Sequence, residues 1–357
     1  MKFLFLLVLT LLRGWAAHAQ PAPTKADLLA LMQKTGVPGM QLVYTRAGTV
    51  QAYALGQRTA GQPAPVNATT TFEAASLGKA MLGYVTLRLL DRGVLSLDKP
   101  LLAYYPYPRL QGAANADKIT ARMVLGHTTG LANWAANPLS PEWLTTPLRL
   151  KYSPDSCWNY SGEGYVFLQK TLEQLTGKPF ETLAQEEIFG PLRMKHSSFV
   201  WQEKFAANTT SGHDGQSKPV PITRFPAAYG AFSLLSTAAD YSRFLQAVMT
   251  GKGLKPATAR LLLTPANEAQ RCGVPATATD PFIAWACGVG LATTSRGLAQ
   301  WQWGDNGNFK GFYLTLPGSK ESLVFLTNSS NGPKMADDLL RLFFGPGEYR
   351  AVQWLSE

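Results

Sequence analysis

Ser76 and Lys79 stand three residues apart at the start of an apolar run that recurs at helical spacing from Leu77 to Arg92 and stops at Gly93. At that spacing the two side chains share one face of a helix. A helix start offers unpaired N–H groups and the positive end of the helix dipole, which favour an alkoxide on Ser76 and lower the pKa of a neighbouring amine. A buried lysine that loses its proton is a base, and the serine beside it becomes a nucleophile. The ordinary reading of the same spacing is an N-capping serine followed by a solvated lysine. Ser-x-x-Lys alone does not separate the two.

Two further clusters carry candidate chemistry. Trp158-Asn159-Tyr160-Ser161-Gly162-Glu163-Gly164-Tyr165 is a glycine-punctuated loop that runs into a helix. A tyrosine on such a loop can place its phenol in a crevice and relay a proton to or from a lysine. Its commoner fate is to pack on the core. Trp303-Gly304-Asp305-Asn306-Gly307-Asn308-Phe309-Lys310-Gly311-Phe312 runs into a strand, and its glycines let backbone approach a ligand closely. The same residues fit an Asn-Gly hairpin turn equally well.

The elements that must hold these clusters are legible as periodicities. Lys25–Lys34 reads as an amphipathic helix, and Gly39–Arg46 and Val50–Leu55 as strands joined at Ala47-Gly48-Thr49. Helices are expected at Ala121–Leu125, Gly162–Leu175, Glu181–Ile188, Ala238–Met249 and Ala257–Leu263, each ending near Gly or Pro. Strands follow at Cys287–Thr293, Gly297–Trp303, Gly311–Leu316 and Ser322–Asn328, and a helix at Met335–Phe344 closes the pattern. The fold class is therefore α+β: an antiparallel β-sheet built from both termini and flanked by helices, with an inserted all-helical region. One domain spans residues 20–357, with an α/β part at about 24–100 and 286–350 and a helical part at about 101–285. The site is expected in the crevice between the two parts.

Composition narrows the function classes. The chain has 357 residues and a formal net charge of +10, but its basic residues are scattered and none cluster with aromatics, which argues against nucleic-acid binding. Lys2, the apolar run Phe3–Leu12 and Ala17-His18-Ala19 read as an export signal over residues 1–19, cleaved before Gln20. Its loss takes Lys2 and Arg13 away and leaves +8. That run is too short to span a bilayer, so no stable membrane insertion is expected after cleavage, and the mature chain is expected in the periplasm or medium. Export permits disulfides among Cys157, Cys272 and Cys287. A 272–287 bridge would close a short loop, although spacing alone does not show that the two meet. No Cys or His cluster has zinc spacing, so no metal or cofactor is expected.

Taken together, the three clusters resemble, in order and spacing, the superfamily of serine β-lactamases, penicillin-binding proteins and class C-like esterases, for whose class A members and penicillin-binding proteins Ser-x-x-Lys is a signature. Leu125-Gly126-His127-Thr128-Thr129-Gly130-Leu131, Leu97-Asp98-Lys99-Pro100 and Leu235-Ser236-Thr237-Ala238-Ala239-Asp240 are similar to the same family, and the resemblance runs from about residue 25 to 345. It implies that Ser76 attacks a carbonyl, that Lys79 and Tyr160 handle the proton, and that the N–H groups of Ser76 and Asn308 form an oxyanion hole. It gives His127 a structural place.

Two departures bear on the substrate. The family's second motif usually reads Tyr-x-Asn, and here Gly162 has no side chain to hold a substrate amide. Its third motif usually carries Lys or His where this chain has Asp305, ahead of Asn306 and Gly307. An anion there should repel a substrate carboxylate by on the order of 4 kcal/mol at about 4 Å and an effective dielectric of about 20. Lys310 lies five residues on, and nothing in the sequence brings it to the site. The expected function is an exported serine acyl hydrolase, an esterase or amidase, acting on a small ester, amide or peptide-like substrate. The second reading is a β-lactamase or D,D-peptidase, and a reading from another class is a non-catalytic binder of peptidoglycan-like ligands.

Overall fold

Thr24 opens the first helix: its hydroxyl accepts the N–H of Asp27, whose carboxylate accepts the N–H of Thr24 in return. The structure, a computed structural model, describes residues 23–357, so the export signal expected at residues 1–19 lies outside the described residues. In chain order the elements are α1 (Lys25–Thr35), β1 (Gly39–Arg46), β2 (Thr49–Gly56), β3 (Phe72–Ala75) and α2 (Gly78–Asp91). The middle of the chain carries α3 (Ala121–Leu125), α4 (Gly162–Thr176), α5 (Phe180–Ala184), β4 (Gly212–His213), β5 (Pro219–Val220), β6 (Leu234–Ser236), α6 (Ala238–Thr250) and α7 (Pro256–Arg260). The last part carries β7 (Ile283–Trp285), β8 (Gly290–Thr294), β9 (Gly297–Asp305), β10 (Lys310–Leu316), β11 (Glu321–Thr327), α8 (Ala336–Phe344) and α9 (Arg350–Ser356).

The main sheet is antiparallel and seven-stranded, in the order β2-β1-β11-β10-β9-β8-β7. It is built from both ends of the chain, as the two β-prone regions predict. One face meets α1, α8 and α9 through an apolar cluster that includes Leu28, Leu42, Trp301, Phe325, Leu340 and Trp354. The other face packs against α6 and, beyond it, α2 and the helical region. Strands covered on both faces lose the alternation of buried and exposed residues, and every residue of β11 is buried. A second, two-stranded sheet pairs β3 with β6, and so ties the strand before Ser76 to the helical region. Among the described residues no helix is long and apolar enough to cross a membrane.

Some boundaries differ from the expected ones. The helix expected at Glu181–Ile188 divides into α5 and a π-helical turn, Gln185–Phe189, closed by the Gly190 N–H on the Gln185 carbonyl at 2.8 Å. The helix expected at Ala257–Leu263 ends at Arg260. The strand expected to begin at Cys287 begins at Gly290, because Ala286-Cys287-Gly288 turns the chain between β7 and β8, with the Gly288 N–H on the Ala286 carbonyl. Both β7 and α9 were too short to leave a periodic signal.

The cysteines also pair differently. Cys157 bonds Cys272, with Cα atoms 5.2 Å apart, while Cys287 is free and buried beneath α2. Two backbone bonds flank the bridge: the Trp158 N–H on Gln270 and the Cys272 N–H on Trp158, at 2.6 and 2.9 Å. The bridge thus fixes the loop that leads to Tyr160. It closes a sequence separation of 115 residues, and loops of that order lose much entropy on cross-linking. Replacing both with serine, Cys157→Ser/Cys272→Ser, should lower unfolding stability by about 2–5 kcal/mol. Urea unfolding of the oxidised protein and the variant measures it, and coincident midpoints would show that the bridge contributes nothing.

Candidate active site

Ser76 lies between β3 and α2. The residue before it, Ala75, takes φ 50°, a left-handed conformation that costs a non-glycine residue about 1–2 kcal/mol. The kink ends the strand and turns the chain into the helix, leaving Ser76 at the first turn with 8% of its surface exposed. Gly304 closes the other side. A β-carbon there would stand 2.4 Å from the Ala74 carbonyl oxygen, so only glycine lets β9 lie this close to the strand that leads to Ser76.

Lys79 is completely buried. Its Nζ donates to Ser76 Oγ at 3.1 Å and to the Ala231 carbonyl at 2.7 Å. It sits over the rings of Tyr160, Tyr165 and Trp134, 4.7, 5.6 and 5.9 Å from their centres. Burial lowers its pKa to about 7, because no solvent stabilises the ammonium.

Tyr160 packs between His127 and Trp303, with ring centres 4.4 and 4.7 Å away. It meets Lys79 with its ring face, not its hydroxyl. Burial pushes the phenol pKa well up; Ser76 pulls it back only partly, and Asp305 adds to the rise. The approach to Ser76 is not a formed hydrogen bond, since the Tyr160 hydroxyl has no partner among the described residues. His127 has the structural place expected of it. It is buried, its Nδ1 accepts the Ser161 N–H at 3.1 Å, and its carbonyl accepts the Asn159 N–H. Burial, reinforced by the charge of Lys79, keeps its pKa well below the usual histidine range.

Gly162 opens α4 and contributes no binding group. The place where a side chain would stand is filled: a β-carbon on Gly162 would lie 2.3 to 2.7 Å from three ring atoms of Trp134. A zipper of polar contacts holds Trp134 there. Asn133 accepts the N–H groups of Gly162 and Glu163, on Oδ1 and the carbonyl at 2.9 and 3.1 Å. On the other side of Trp134, the Ala135 N–H donates to Glu163 Oε1 at 2.9 Å. Glu163 is itself buried in a bidentate pair with Arg109, at 2.7 and 3.0 Å, and accepts the Trp143 indole N–H.

The third cluster forms the tip of the β9–β10 hairpin. Asp305 and Lys310 are cross-strand partners in a salt bridge of 2.5 Å, and Asp305 Oδ1 also caps the turn by accepting the Gly307 N–H at 2.8 Å. The expected repulsion of substrate carboxylates by Asp305 is therefore corrected: Lys310 stands on that carboxylate and cancels most of its charge at a distance. Asn306 points inward and donates to Glu73 Oε2 at 2.6 Å and to the Phe232 carbonyl at 3.2 Å. Gly307 is exposed at the tip with φ 73°. The N–H of Asn308, expected to face an oxyanion, is held on the Asn306 carbonyl at 2.9 Å, and its carbonyl accepts from His213.

Ser76, Tyr160, Asp305 and Asn306 share one cleft of about 380 Å³ with Glu73, Asn133, Trp134, Leu139, Phe225, Phe232 and Trp303. Among the described residues no lysine or arginine lines its wall. Glu73 and Trp134 went unassigned from the sequence. Glu73 is buried, and burial raises its pKa against the hydrogen bonds from Thr223 and Asn306. Its position three residues before Ser76 was the one available signal. For Trp134 the signal was indirect: a missing side chain at Gly162 leaves a volume that another residue must fill.

The chain is similar to known proteins over most of its length. The family described as Beta-lactamase matches residues 25–344. Penicillin-binding protein 4 of Amycolatopsis lactamdurans is 24% identical, over 88% of this chain and 87% of that protein. Esterase EstB of Burkholderia gladioli is 27% identical, over 82% of this chain and 86% of that protein. A class C beta-lactamase superposes with a TM-score of 0.73 at 20% identity, over 88% of this chain and 93% of that one. The octameric penicillin-binding protein homologue from Pyrococcus abyssi superposes with a TM-score of 0.74 at 19% identity, over 90% and 76%. The two superpositions share the α+β fold built here from the sequence upward. Because the match from residue 25 to residue 344 takes in all three motifs, the chain belongs to the Beta-lactamase family of serine hydrolases.

Proposed function

We propose that this protein is an exported serine esterase that works through an acyl-enzyme on Ser76. The observation that carries the reading is the Ser76–Lys79 pair: a completely buried lysine, 3.1 Å from the serine hydroxyl, with its pKa brought down to about 7 by burial. A lysine so placed is half unprotonated near neutral pH and takes the Ser76 proton as Oγ bonds the acyl carbon. As the tetrahedral intermediate collapses, the bond to the leaving oxygen breaks and Lys79 returns the proton to it. The Tyr160 phenol stays protonated and donates a hydrogen bond to that oxygen. Water then attacks the acyl-enzyme by the same proton route and releases the acid. The Ser76 N–H, at the start of α2, is one oxyanion donor. The Asn308 N–H becomes the second when its bond to Asn306 opens.

The cleft wall supports an ester over a β-lactam or a D,D-peptide. A substrate carboxylate finds no lysine or arginine there, since Lys310 is engaged by Asp305, and Trp134 occupies the volume of the missing amide-binding side chain. The Cys157–Cys272 bridge supports export, because disulfides persist in oxidising compartments. β-Lactamase or D,D-peptidase activity is the second reading, favoured by the order of the three motifs.

Ser76→Ala should abolish hydrolysis of p-nitrophenyl esters and labelling by a fluorophosphonate while the thermal transition stays near that of the wild type. Label retained on another serine removes Ser76 from the role. A fluorescent penicillin should label weakly or not at all, and labelling as fast as by the fluorophosphonate would favour the second reading.

The pH dependence follows from the lowered pKa of Lys79. Below about 7 the amine is protonated and cannot accept a proton, and above about 7 it is free. The ester kcat/KM should therefore rise with pH and level off with an apparent pKa near 7. Lys79→Arg should lose at least about a hundredfold at every pH, since arginine keeps its proton. A variant that keeps most of its activity would reduce Lys79 to an electrostatic partner.

A further inference from the structure

The cleft holds two aromatic groupings that do not touch each other's rings. Tyr160 stacks on Trp303, 4.7 Å between centres. Trp134 meets Phe232 edge-on at 5.4 Å, and Phe232 meets Phe225 at 5.8 Å. The first pair stands beside the proton-handling hydroxyl. The second forms a separate wall, with the Lys79 amine 5.9 Å from the centre of the Trp134 ring.

Trp134 is built into this wall. The residues on either side of it are bonded to the first two residues of α4, Gly162 and Glu163, so the indole is carried onto the Cα of Gly162. Its ring meets the Trp143 ring at 5.8 Å, and the Trp143 indole N–H is fixed by the buried Glu163 carboxylate. Half-buried in this way, the indole lines the cleft. A face held this rigidly recognises a flat apolar group at little entropic cost and offers nothing to a polar one.

We propose that Trp134 determines the acyl specificity of this enzyme, and that its substrates are esters of apolar carboxylic acids whose chain carries a flat group such as an aryl ring. This rests on the acyl-enzyme reading of Ser76. The Tyr160–Trp303 side receives the leaving alcohol, because in the proposed mechanism the Tyr160 hydroxyl donates to the leaving oxygen. The opposite wall, Trp134 with Phe225 and Phe232, receives the acyl chain. Gly162 is the complement of Trp134: it is small because the indole lies on it.

Two isomeric esters separate the two sides of the site. Methyl phenylacetate carries its ring on the acyl group, and benzyl acetate carries it on the alcohol. Trp134→Ala should lower kcat/KM for methyl phenylacetate about threefold to tenfold more than for benzyl acetate, the loss expected when one aromatic contact is removed. Trp134→Phe should keep most of the discrimination. An equal loss on both esters, or a larger loss on benzyl acetate, overturns the proposal. Fluorophosphonate labelling of Ser76, run on the same samples, keeps the two levels apart. A wild type labelled at Ser76 with an unchanged ester ratio in Trp134→Ala sinks the specificity assignment alone. A wild type with no label on Ser76 sinks the acyl-enzyme reading and the assignment together. A stability cycle covers the case in which truncation perturbs the loop: Gly162→Ala should lower the melting temperature of the wild type and lower it clearly less in the Trp134→Ala background. Equal losses in both backgrounds also overturn the proposal.

Discussion

An ammonium group removed from water and given no carboxylate is the constraint around which this structure is arranged. Lys79 is fully buried, and its polar contacts are one hydroxyl and one backbone carbonyl. Burial of an unpaired charge is expensive enough that the group sheds its proton instead, hence its pKa of about 7. The unfolded chain keeps an ordinary lysine near 10.5. Between those two values the unfolded state binds the extra proton, so this residue's contribution to stability rises with pH across that window and is least favourable below it. The fold tolerates the cost at neutral pH because three aromatic rings face the amine and soften the charged form. No single element could enclose Lys79. Its helix, α2, follows the second sheet's β3; the Ala231 carbonyl precedes β6; Tyr160 lies in the loop before α4 and Tyr165 within α4.

The loops that close over the amine are each fixed by a different kind of bond. The Tyr160 loop is held below by His127 Nδ1 on the Ser161 N–H and upstream by the Cys157–Cys272 bridge. A neutral His127 is required for this role, since Nδ1 must accept; burial and the nearby Lys79 both favour that form. The Trp134 segment is held by the buried Arg109–Glu163 pair, whose carboxylate also takes two N–H groups. Breaking such a pair would strand a buried charge. The hairpin tip is held by Asn306 on Glu73. Glu73 thus links the strand before Ser76 to the loop across the cleft.

Much of this was legible in the sequence for identifiable reasons. The Ser76–Lys79 face, the helix behind it and the sheet built from both termini follow from periodicity, which is local. What sequence left open depends on long-range contacts. Cys157 meets Cys272 because Trp158 pairs with the 270–272 segment, which no spacing announces. Trp134 lies on Gly162 because Asn133 and Ala135 bond to α4, a contact across almost thirty residues. The Asp305–Lys310 pair is a different case. A two-residue turn at Asn306-Gly307 would set residue 305 opposite 308, whereas the loop formed spans residues 306–309 and sets 305 opposite 310. The hairpin was legible, but its loop length, and with it the partner of Asp305, was not.

That pair changes where discrimination against anionic substrates comes from. Asp305 is half exposed, so the bridge to Lys310 adds little stability. Its consequence is electrostatic. Opposite charges 2.5 Å apart act at a distance as a dipole, whose field falls off faster than that of the lone carboxylate the sequence suggested. Repulsion is then too weak to exclude a carboxylate by itself. On the proposed reading exclusion rests on what the cleft does not offer: among the described residues no lysine or arginine lines its wall, and the oxygens of the buried Glu73 that does line it already accept from Thr223 and Asn306. A carboxylate entering would leave its hydration without gaining a cationic partner, and an unpaired buried ion costs several kcal/mol. A neutral ester loses no such hydration and gains the aromatic wall. On the proposed esterase reading, substrate choice is set by desolvation against an apolar surface, the same physical term that lowers the pKa of Lys79.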